Sequence, residues 1–352
     1  MKSAVMIGPC PDAKGGMASV VAVYRANGLF SKGACRYLTT ATEGGTGRKL
    51  SVAASAVLRF AGLLATNRVK LLHVHGASHG SFWRKRAFMQ LARAFSVPVI
   101  FHLHGGEFRQ FVDQRLAPSA RRKVVGSLEA CSLIYCLNNE IATWLRNVVP
   151  KVPVHVLPNP IDLPLVDEAS ENRESSILFL GRLEREKGVF DLVNAVAAIA
   201  QRMPGLRLLL CGVGSAEEDL KRLAADRGIA SQVEFPGWVN GEAKARLMRQ
   251  AGVFVLPSYA EGMPMSVLEA MAAQTPVVAS RVGAVAEMLD DGHCGFVVEP
   301  GNTGQLGEAI LAALDTTRSA PLSERAMARV RELYAADVVL KRLRWQYGQL
   351  AR

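Results

Sequence analysis

The sequence predicts an α/β protein of two tandem Rossmann-like domains. Three observations carry that expectation. Short apolar runs alternate with longer segments of helical period along the whole chain. The alternation breaks once near the middle and then restarts. At 352 residues the chain is too long for one ordinary core and comfortable for two.

In the first half the apolar runs are Ala4–Ile7, Leu71–Val74, Val97–Leu103, Leu133–Leu137 and Val152–Leu157. Helical period fills segments such as Leu50–Thr66 and Phe82–Phe95. Runs this apolar fit strands buried on both faces, hence a parallel sheet with helices on either side. Right-handed crossovers then give a doubly wound domain. The rhythm breaks at Pro158-Asn-Pro-Ile-Asp162, and a polar stretch, Asp167–Ser175, reads as linker. Then strands are expected at Ile177–Leu180, Leu206–Leu210, Val233–Phe235, Val253–Leu256 and Val277–Ala279. Helices should start at Val189, Ala216, Glu242 and Met265, with Ser215 and Glu218 forming a capping box for the second. Helical segments Ser323–Tyr334 and Asp337–Leu350 close the chain. The expected domains are 1–160 and 161–336, with 337–352 a helix packing back on the first.

Charge is uneven. Up to Pro160 there are 21 Lys and Arg against 6 Asp and Glu, leaving 21 against 25 in the rest. The first half is therefore strongly basic, which points to a polyanionic ligand, an anionic membrane surface or nucleic acid. No recognised nucleic-acid module or interleaved aromatic pattern supports the last, so no nucleic-acid partner is expected. The six cysteines form no CxxC pair and read as buried hydrophobes of a reducing cytosol. The opening apolar run is too short for a signal peptide and reads as a first strand. No stretch reaches about 18 uncharged apolar residues, so any membrane contact should be peripheral.

In open parallel sheets ligands bind outside the carboxyl ends of strands. Polar and glycine-rich residues just after strands are therefore the candidates for chemistry. Glu261-Gly-Met-Pro-Met-Ser-Val-Leu-Glu269 follows a strand and opens a helix. Gly262 and Pro264 shape a turn, and the amides of Met263, Met265 and Ser266 stand at a helix N-terminus, which favours an anion. Glu269 sits one turn inside. Gly181-Arg182-Leu-Glu-Arg-Glu-Lys187-Gly188 has the same placement, with Arg182 and Lys187 able to converge on a diphosphate. In the first half Gly15-Gly16 follows the first strand, although the GxGxxG fingerprint is absent. His102 and His104 alternate onto one face of a strand, His104 at its tip. No carboxylate cluster at metal spacing accompanies them, so no metal site is expected.

Together these segments resemble glycosyltransferase family 4, retaining enzymes of the GT-B fold. Glu261–Glu269 matches the family's Glu-x7-Glu motif, and Gly181-Arg182 with Glu186-Lys187-Gly188 its phosphate-binding loop. Pro158–Asp162 resembles its linker motif, and Cys211-Gly212-Val-Gly214-Ser215 its nucleotide-side loop. Gly15-Gly16-Met17 and His104-Gly105 stand where the family has its glycine loop and active-site His. The resemblance implies a nucleotide-sugar donor, UDP- or GDP-linked, with no cofactor and no metal. Arg182 and Lys187 would hold the diphosphate. Glu261, Gly262, Met263, Pro264 and Met265 would grip the sugar, Glu269 the ribose, and Gly237-Trp238-Val239 the base. Gly212 would line the nucleotide side, and His104 would meet the sugar near the reacting carbon.

The basic first domain would then take the acceptor. Trp83, Arg84, Lys85 and Arg86, with Arg121, Arg122 and Lys123, are expected to lie on an anionic membrane face. The acceptor expected there is a polyprenyl-diphosphate-linked saccharide of bacterial polysaccharide assembly. The competing readings are a nucleotide-sugar epimerase or hydrolase of similar build, and a nucleic-acid-binding protein.

Overall fold

The computed structural model describes residues 2–33, 35–42, 44–163 and 173–350. Two compact units emerge: Met1–Asp162 with Leu333–Arg352, and Leu163–Glu332. The sequence reading places the corresponding boundaries at 160/161 and 336/337.

Unit 1 carries strands β1 (Ser3–Pro9), β2 (Cys35–Ala41), β3 (Val69–Gly76), β4 (Val99–Leu103), β5 (Leu133–Cys136) and β6 (Val154–Val156). Its helices are α1 (Gly16–Ala26), α2 (Thr46–Ala65), α3 (Gly80–Ala94), the one-turn α4 (Phe108–Gln110), α5 (Pro118–Glu129) and α6 (Asn139–Val148). The strands pair in parallel in the order β2-β1-β3-β4-β5-β6. Unit 2 carries β7 (Glu174–Leu180), β8 (Arg207–Cys211), β9 (Val233–Glu234), β10 (Ala251–Leu256), β11 (Val277–Ser280) and β12 (Phe296–Val298). Its helices are α7 (Val189–Ile199), α8 (Glu217–Asp226), α9 (Gly241–Gln250), α10 (Met265–Ala272), α11 (Val285–Met288), α12 (Thr303–Leu314) and α13 (Thr316–Arg329). This second parallel sheet runs β12-β11-β10-β7-β8-β9. The last helix, α14 (Ala336–Leu350), belongs to unit 1.

The ten apolar runs read from the sequence all become strands, and those inside the sheets are covered on both faces. Residues Ala4–Ile7, Val253–Val255 and Val278–Ala279 are fully buried. The two strands the sequence reading misses, β2 and β12, are edge strands of their sheets. The other two edge strands, β6 and β9, keep short apolar runs and are read; β2 is largely polar, and β12 is only the three residues Phe296–Val298. In β2 only Cys35 and Thr40 are buried.

Three local expectations are corrected. Ser215 does not cap α8; its hydroxyl donates to Glu184 Oε2 at 2.8 Å and its amide to Glu184 Oε1 at 3.0 Å, so α8 starts uncapped behind Ala216. The expected linker 167–175 lies outside the described residues as far as 172, and Glu174 and Ser175 are already strand β7. The penultimate helix is α13, starting at Thr316, and Val330–Tyr334 continues as a π-helical turn. Pro158 to Ile161 of the linker motif are buried, and Asp162 is exposed. Ile161 bridges Ala335, its N–H donating to the Tyr334 carbonyl and its carbonyl accepting from Ala336 N, both at 2.9 Å. Asp162 accepts from Asn27 Nδ2 at 2.6 Å. The returning chain is thus tied into unit 1 before α14 begins.

The basic segment of α3 is also corrected. Helical period sends Arg84, Lys85 and Arg86 in three directions. Arg84 is exposed, Arg86 half-buried, and Lys85 is 1% exposed, donating to Thr40 Oγ1. Phe82 and Phe88 are core, and Trp83 packs against it. Lys85 therefore presents nothing to a membrane, and Trp83 only a part of its ring. Burial pushes the Lys85 amine down to about 7. An unfolded chain keeps that proton up to about pH 10.4. Native stability should therefore rise between pH 7 and about pH 10, by at most about 1.4 kcal/mol per pH unit. Lys85→Met is expected to flatten that rise and to be more stable than wild type at pH 7. Urea unfolding at pH 7, 8 and 9 checks this; equal slopes for the two proteins would rule it out.

Candidate functional site

In unit 2 the strand order reverses between β7 and β10, which lie side by side while their successors run outward in opposite directions. Ligands of doubly wound sheets bind at the carboxyl ends of such a pair. The loops there are 181–188 and 257–264, and they are joined. Lys187 Nζ donates to Glu261 Oε1 at 2.7 Å, with the two side chains only 16% and 12% exposed. Ser258 Oγ, fully buried, donates to the same oxygen at 2.8 Å. Tyr259 N donates to the Glu186 carbonyl at 2.9 Å, and Tyr259 Oη to Asp191 at 2.7 Å. Gly188 makes the fit possible. It takes φ 68° at the start of α7, and a Cβ there would lie 1.9 Å from the Pro257 carbonyl oxygen. The result is a half-buried Lys–Glu pair held by both loops, with two further ammonium protons of Lys187 and the second carboxylate oxygen of Glu261 open to a ligand.

Behind Glu261 the chain turns into α10. Pro264 precedes it and no side chain caps its first turn. Backbone amides there are suited to an anion or a sugar hydroxyl. The turn is fixed from below: Ala284 N donates to the Gly262 carbonyl at 2.8 Å, and Gly283, at φ 55°, leaves no room for a Cβ against Glu261 O. Met263 and Met265 are buried, so those two residues offer backbone, not side chain. Glu269 is half-buried and accepts from Lys244 Nζ at 2.6 Å.

The structure does not bring Arg182 and Lys187 to one partner. Arg182 is exposed and pairs with Glu186 on its own loop, whereas Lys187 reaches Glu261. Gly212 is buried, and a Cβ on it would fall 1.7 Å from the Gly181 carbonyl oxygen. Its requirement for glycine is thus set by loop-to-loop packing. Gly237 (φ 74°) turns the chain so that Trp238 is exposed and Val239 half-buried. Ser258 and Lys244 were missed by the sequence reading. Ser258 stands three residues before Glu261, close enough to have been suspected; Lys244 is linked to Glu269 only by the fold.

In unit 1 Gly15, at φ 126°, precedes α1, and Gly16 opens it; both are exposed. His104 follows β4. Alternation does place it on the face of His102, with ring centroids 4.2 Å apart. Burial pushes the His104 imidazole down to about 3, with a bond to Asn159 opposing the shift, so the ring is neutral at ordinary pH. The structure adds what spacing along β4 did not show. His73 and His75 on β3 join the same face, and His75 stands opposite His102 in the ladder. His75 Nδ1 lies 2.7 Å from His104 Nε2. Their stacked rings, with His73 and His75 centroids 4.7 Å apart, fill the carboxyl edge of the sheet.

The remaining cations regroup. Arg86, Arg93, Arg122 and Lys123 line a surface cavity of about 220 Å³ between α3 and α5, with Gln90 and Ser127. Arg86 Nε donates to Ser127 Oγ at 3.0 Å. Among the described residues no carboxylate lines it. Arg121 points elsewhere, 3.6 Å from Asp113.

Comparison with known proteins follows this division. The family model for glycosyl transferases group 1 matches residues 166–331, and that for Glycosyltransferase Family 4 matches residues 15–164. A glycogen synthase of Mycobacterium tuberculosis is 28% identical over 246 residues, 67% of this chain and 59% of that one. This chain therefore aligns with less than two thirds of that relative's length. A phosphatidyl-myo-inositol mannosyltransferase of Mycobacterium leprae is 37% identical over 155 residues, 44% of this chain and 40% of that one. The Anabaena protein HepE, solved in complex with UDP and glucose, shares the fold at a TM-score of 0.77 and 16% identity, over 99% of this chain and 100% of that one. With a family model on each parallel sheet, the chain belongs to glycosyltransferase family 4, with the GT-B fold.

Proposed function

We propose that this protein transfers a hexose from a UDP- or GDP-sugar to a hydroxyl of a lipid-linked saccharide, with retention of configuration and without a divalent metal in the transfer step. The observation that carries the reading is the Lys187–Glu261 pair at the switch point of unit 2. A fixed ammonium beside an uncapped helix N-terminus favours the charge that grows on a departing diphosphate. Arg182 adds its forked donors from the exposed side of the same loop. Glu261 and the backbone of Gly262 to Met265 hold the sugar, Glu269 the ribose and Gly237–Val239 the base. In unit 1, neutral His104 contacts a sugar hydroxyl, and Gly15-Gly16 supplies backbone amides. The acceptor oxygen bonds to the anomeric carbon on the face from which the diphosphate leaves. The carbon–phosphate-oxygen bond breaks, and the acceptor proton passes to the departing phosphate oxygen. HepE's complex with UDP and glucose supports the donor class.

The acceptor part rests on the basic cavity of Arg86, Arg93, Arg122 and Lys123, which fits lipid phosphates on an anionic leaflet. No described helix is long and apolar enough to cross a membrane, and peripheral binding at the inner face of the cytoplasmic membrane is the proposed location. The setting is bacterial surface polysaccharide synthesis. Two measurements test this. A thermal-shift screen against UDP- and GDP-sugars, followed by mass spectrometry of products on polyprenyl-diphosphate-linked acceptors, should find one stabilising donor and one extended lipid. Donor turnover that needs no acceptor would favour an epimerase or hydrolase instead. Sedimentation with vesicles should show preference for anionic over neutral lipid, reduced in Arg122→Gln/Lys123→Gln; equal partitioning would remove the membrane component.

A further inference from the structure

We propose that His73, His75 and His102 form a site for one divalent transition-metal ion inside unit 1, oriented by Tyr347 and His104. The three imidazoles are fully buried, and one ligand nitrogen from each lies within 4.8 Å of the other two. Two features of the sheet produce this. His73 and His75 are alternate residues of β3 and share a face. The β3–β4 register sets His102 directly opposite His75.

Each ring of the β3 pair is tied at one nitrogen and open at the other. His73 Nδ1 lies 2.6 Å from Tyr347 Oη on α14, and His75 Nδ1 lies 2.7 Å from His104 Nε2. The Nε2 atoms of both are buried with no hydrogen-bond partner. A buried polar atom left unsatisfied is destabilising, and here two are carried on one face of β3. A ring with one nitrogen held by an outer group and the other open is the arrangement of metal-ligating histidines. Three neutral imidazoles suit Zn²⁺, Co²⁺, Ni²⁺ or Cu²⁺; Mg²⁺ and Ca²⁺ prefer oxygen. Tetrahedral zinc ligands at about 2.0–2.1 Å from the ion stand roughly 3.3 Å apart. Closing from 4.8 Å asks for rotation about χ2, which has a broad well.

With the ion on Nε2, His75 Nδ1 carries the proton and donates to His104 Nε2. His104 is then fixed as the tautomer with its proton on Nδ1. His73 likewise donates from Nδ1 to Tyr347, which clamps α14 to the sheet. The ion is structural and takes no part in the transfer proposed above, so the two readings fail separately.

The test uses full-length protein without a polyhistidine tag, dialysed against Zn²⁺ or Co²⁺. Elemental analysis should find one ion per chain, and the cobalt form should show the visible absorption of a tetrahedral, nitrogen-ligated centre. Zn²⁺ should raise Tm where Mg²⁺ does not. His73→Gln and His102→Gln should each weaken binding by at least about tenfold, whereas the exposed His155→Gln and His293→Gln should not. The wild-type measurement stands without any variant. No ion retained by folded wild type, or unchanged affinity in both core variants, would overturn the proposal.

Discussion

Lys187→Ala is expected to lower sugar transfer by about 10²–10³-fold, the usual cost of removing one preorganised charge partner from a transition state. It is also expected to destabilise unit 2 by about 3 kcal/mol, because Glu261, 12% exposed, is left with Ser258 as its remaining side-chain partner. The two effects are separable. Replacing both ends, Lys187→Met with Glu261→Leu, removes the stranded charge, so much of the stability should return while transfer stays lost. Steady-state kinetics with saturating donor, beside urea unfolding of the single and double variants, reads both quantities. Transfer within tenfold of wild type in Lys187→Ala would exclude Lys187 from the diphosphate site. Recovery of transfer along with stability in the double variant would mean the pair is purely structural.

Gly188→Ala should be strongly damaging to unit 2. The residue sits at φ 68°, which costs an L-residue about 1–2 kcal/mol. The added Cβ would also lie 1.9 Å from the Pro257 carbonyl oxygen, which is backbone of the neighbouring loop and has no rotamer to change. One of the two loops must move, and Lys187 and Glu261 are carried on them. A loss of about 3 kcal/mol or more is expected, with transfer falling in parallel. Gly62→Ala is the matched opposite. It lies inside α2, with nothing within 4 Å of its would-be Cβ, so it should stabilise by about 1 kcal/mol. Chemical denaturation of the two variants should give shifts of opposite sign; a neutral Gly188→Ala would mean that the loops are not packed as described.

Much of the fold was legible because parallel strands covered on both faces must be apolar along their whole length. That is why the interior strands β1, β3 to β5, β7, β8, β10 and β11 stand out as runs, whereas the largely polar edge strand β2 and the three-residue β12 do not. The site motifs were legible for a related reason. Glycine at a positive φ and carboxylates beside a turn are local requirements, so Gly188, Glu261 and Glu269 can be picked out in one dimension. Their partners cannot. Lys187 and Glu261 are 74 positions apart and meet because β7 and β10 are neighbours in the sheet. Consecutive cations misled for the same reason: successive residues on a helix differ by about 100°. Arg84 thus faces water, Lys85 the core and Arg86 a cavity shared with Arg122 and Lys123 of α5. Alternation along β4 placed His102 beside His104, but only strand register brought in His73 and His75, and only the returning α14 brought Tyr347. The sequence by itself determined the two sheets, the turn glycines and the acidic motif, because backbone geometry and burial act residue by residue. The tertiary structure decided which charges pair, which cation is buried and which histidines share a face, because those contacts join residues that only the packing of strands and helices makes neighbours.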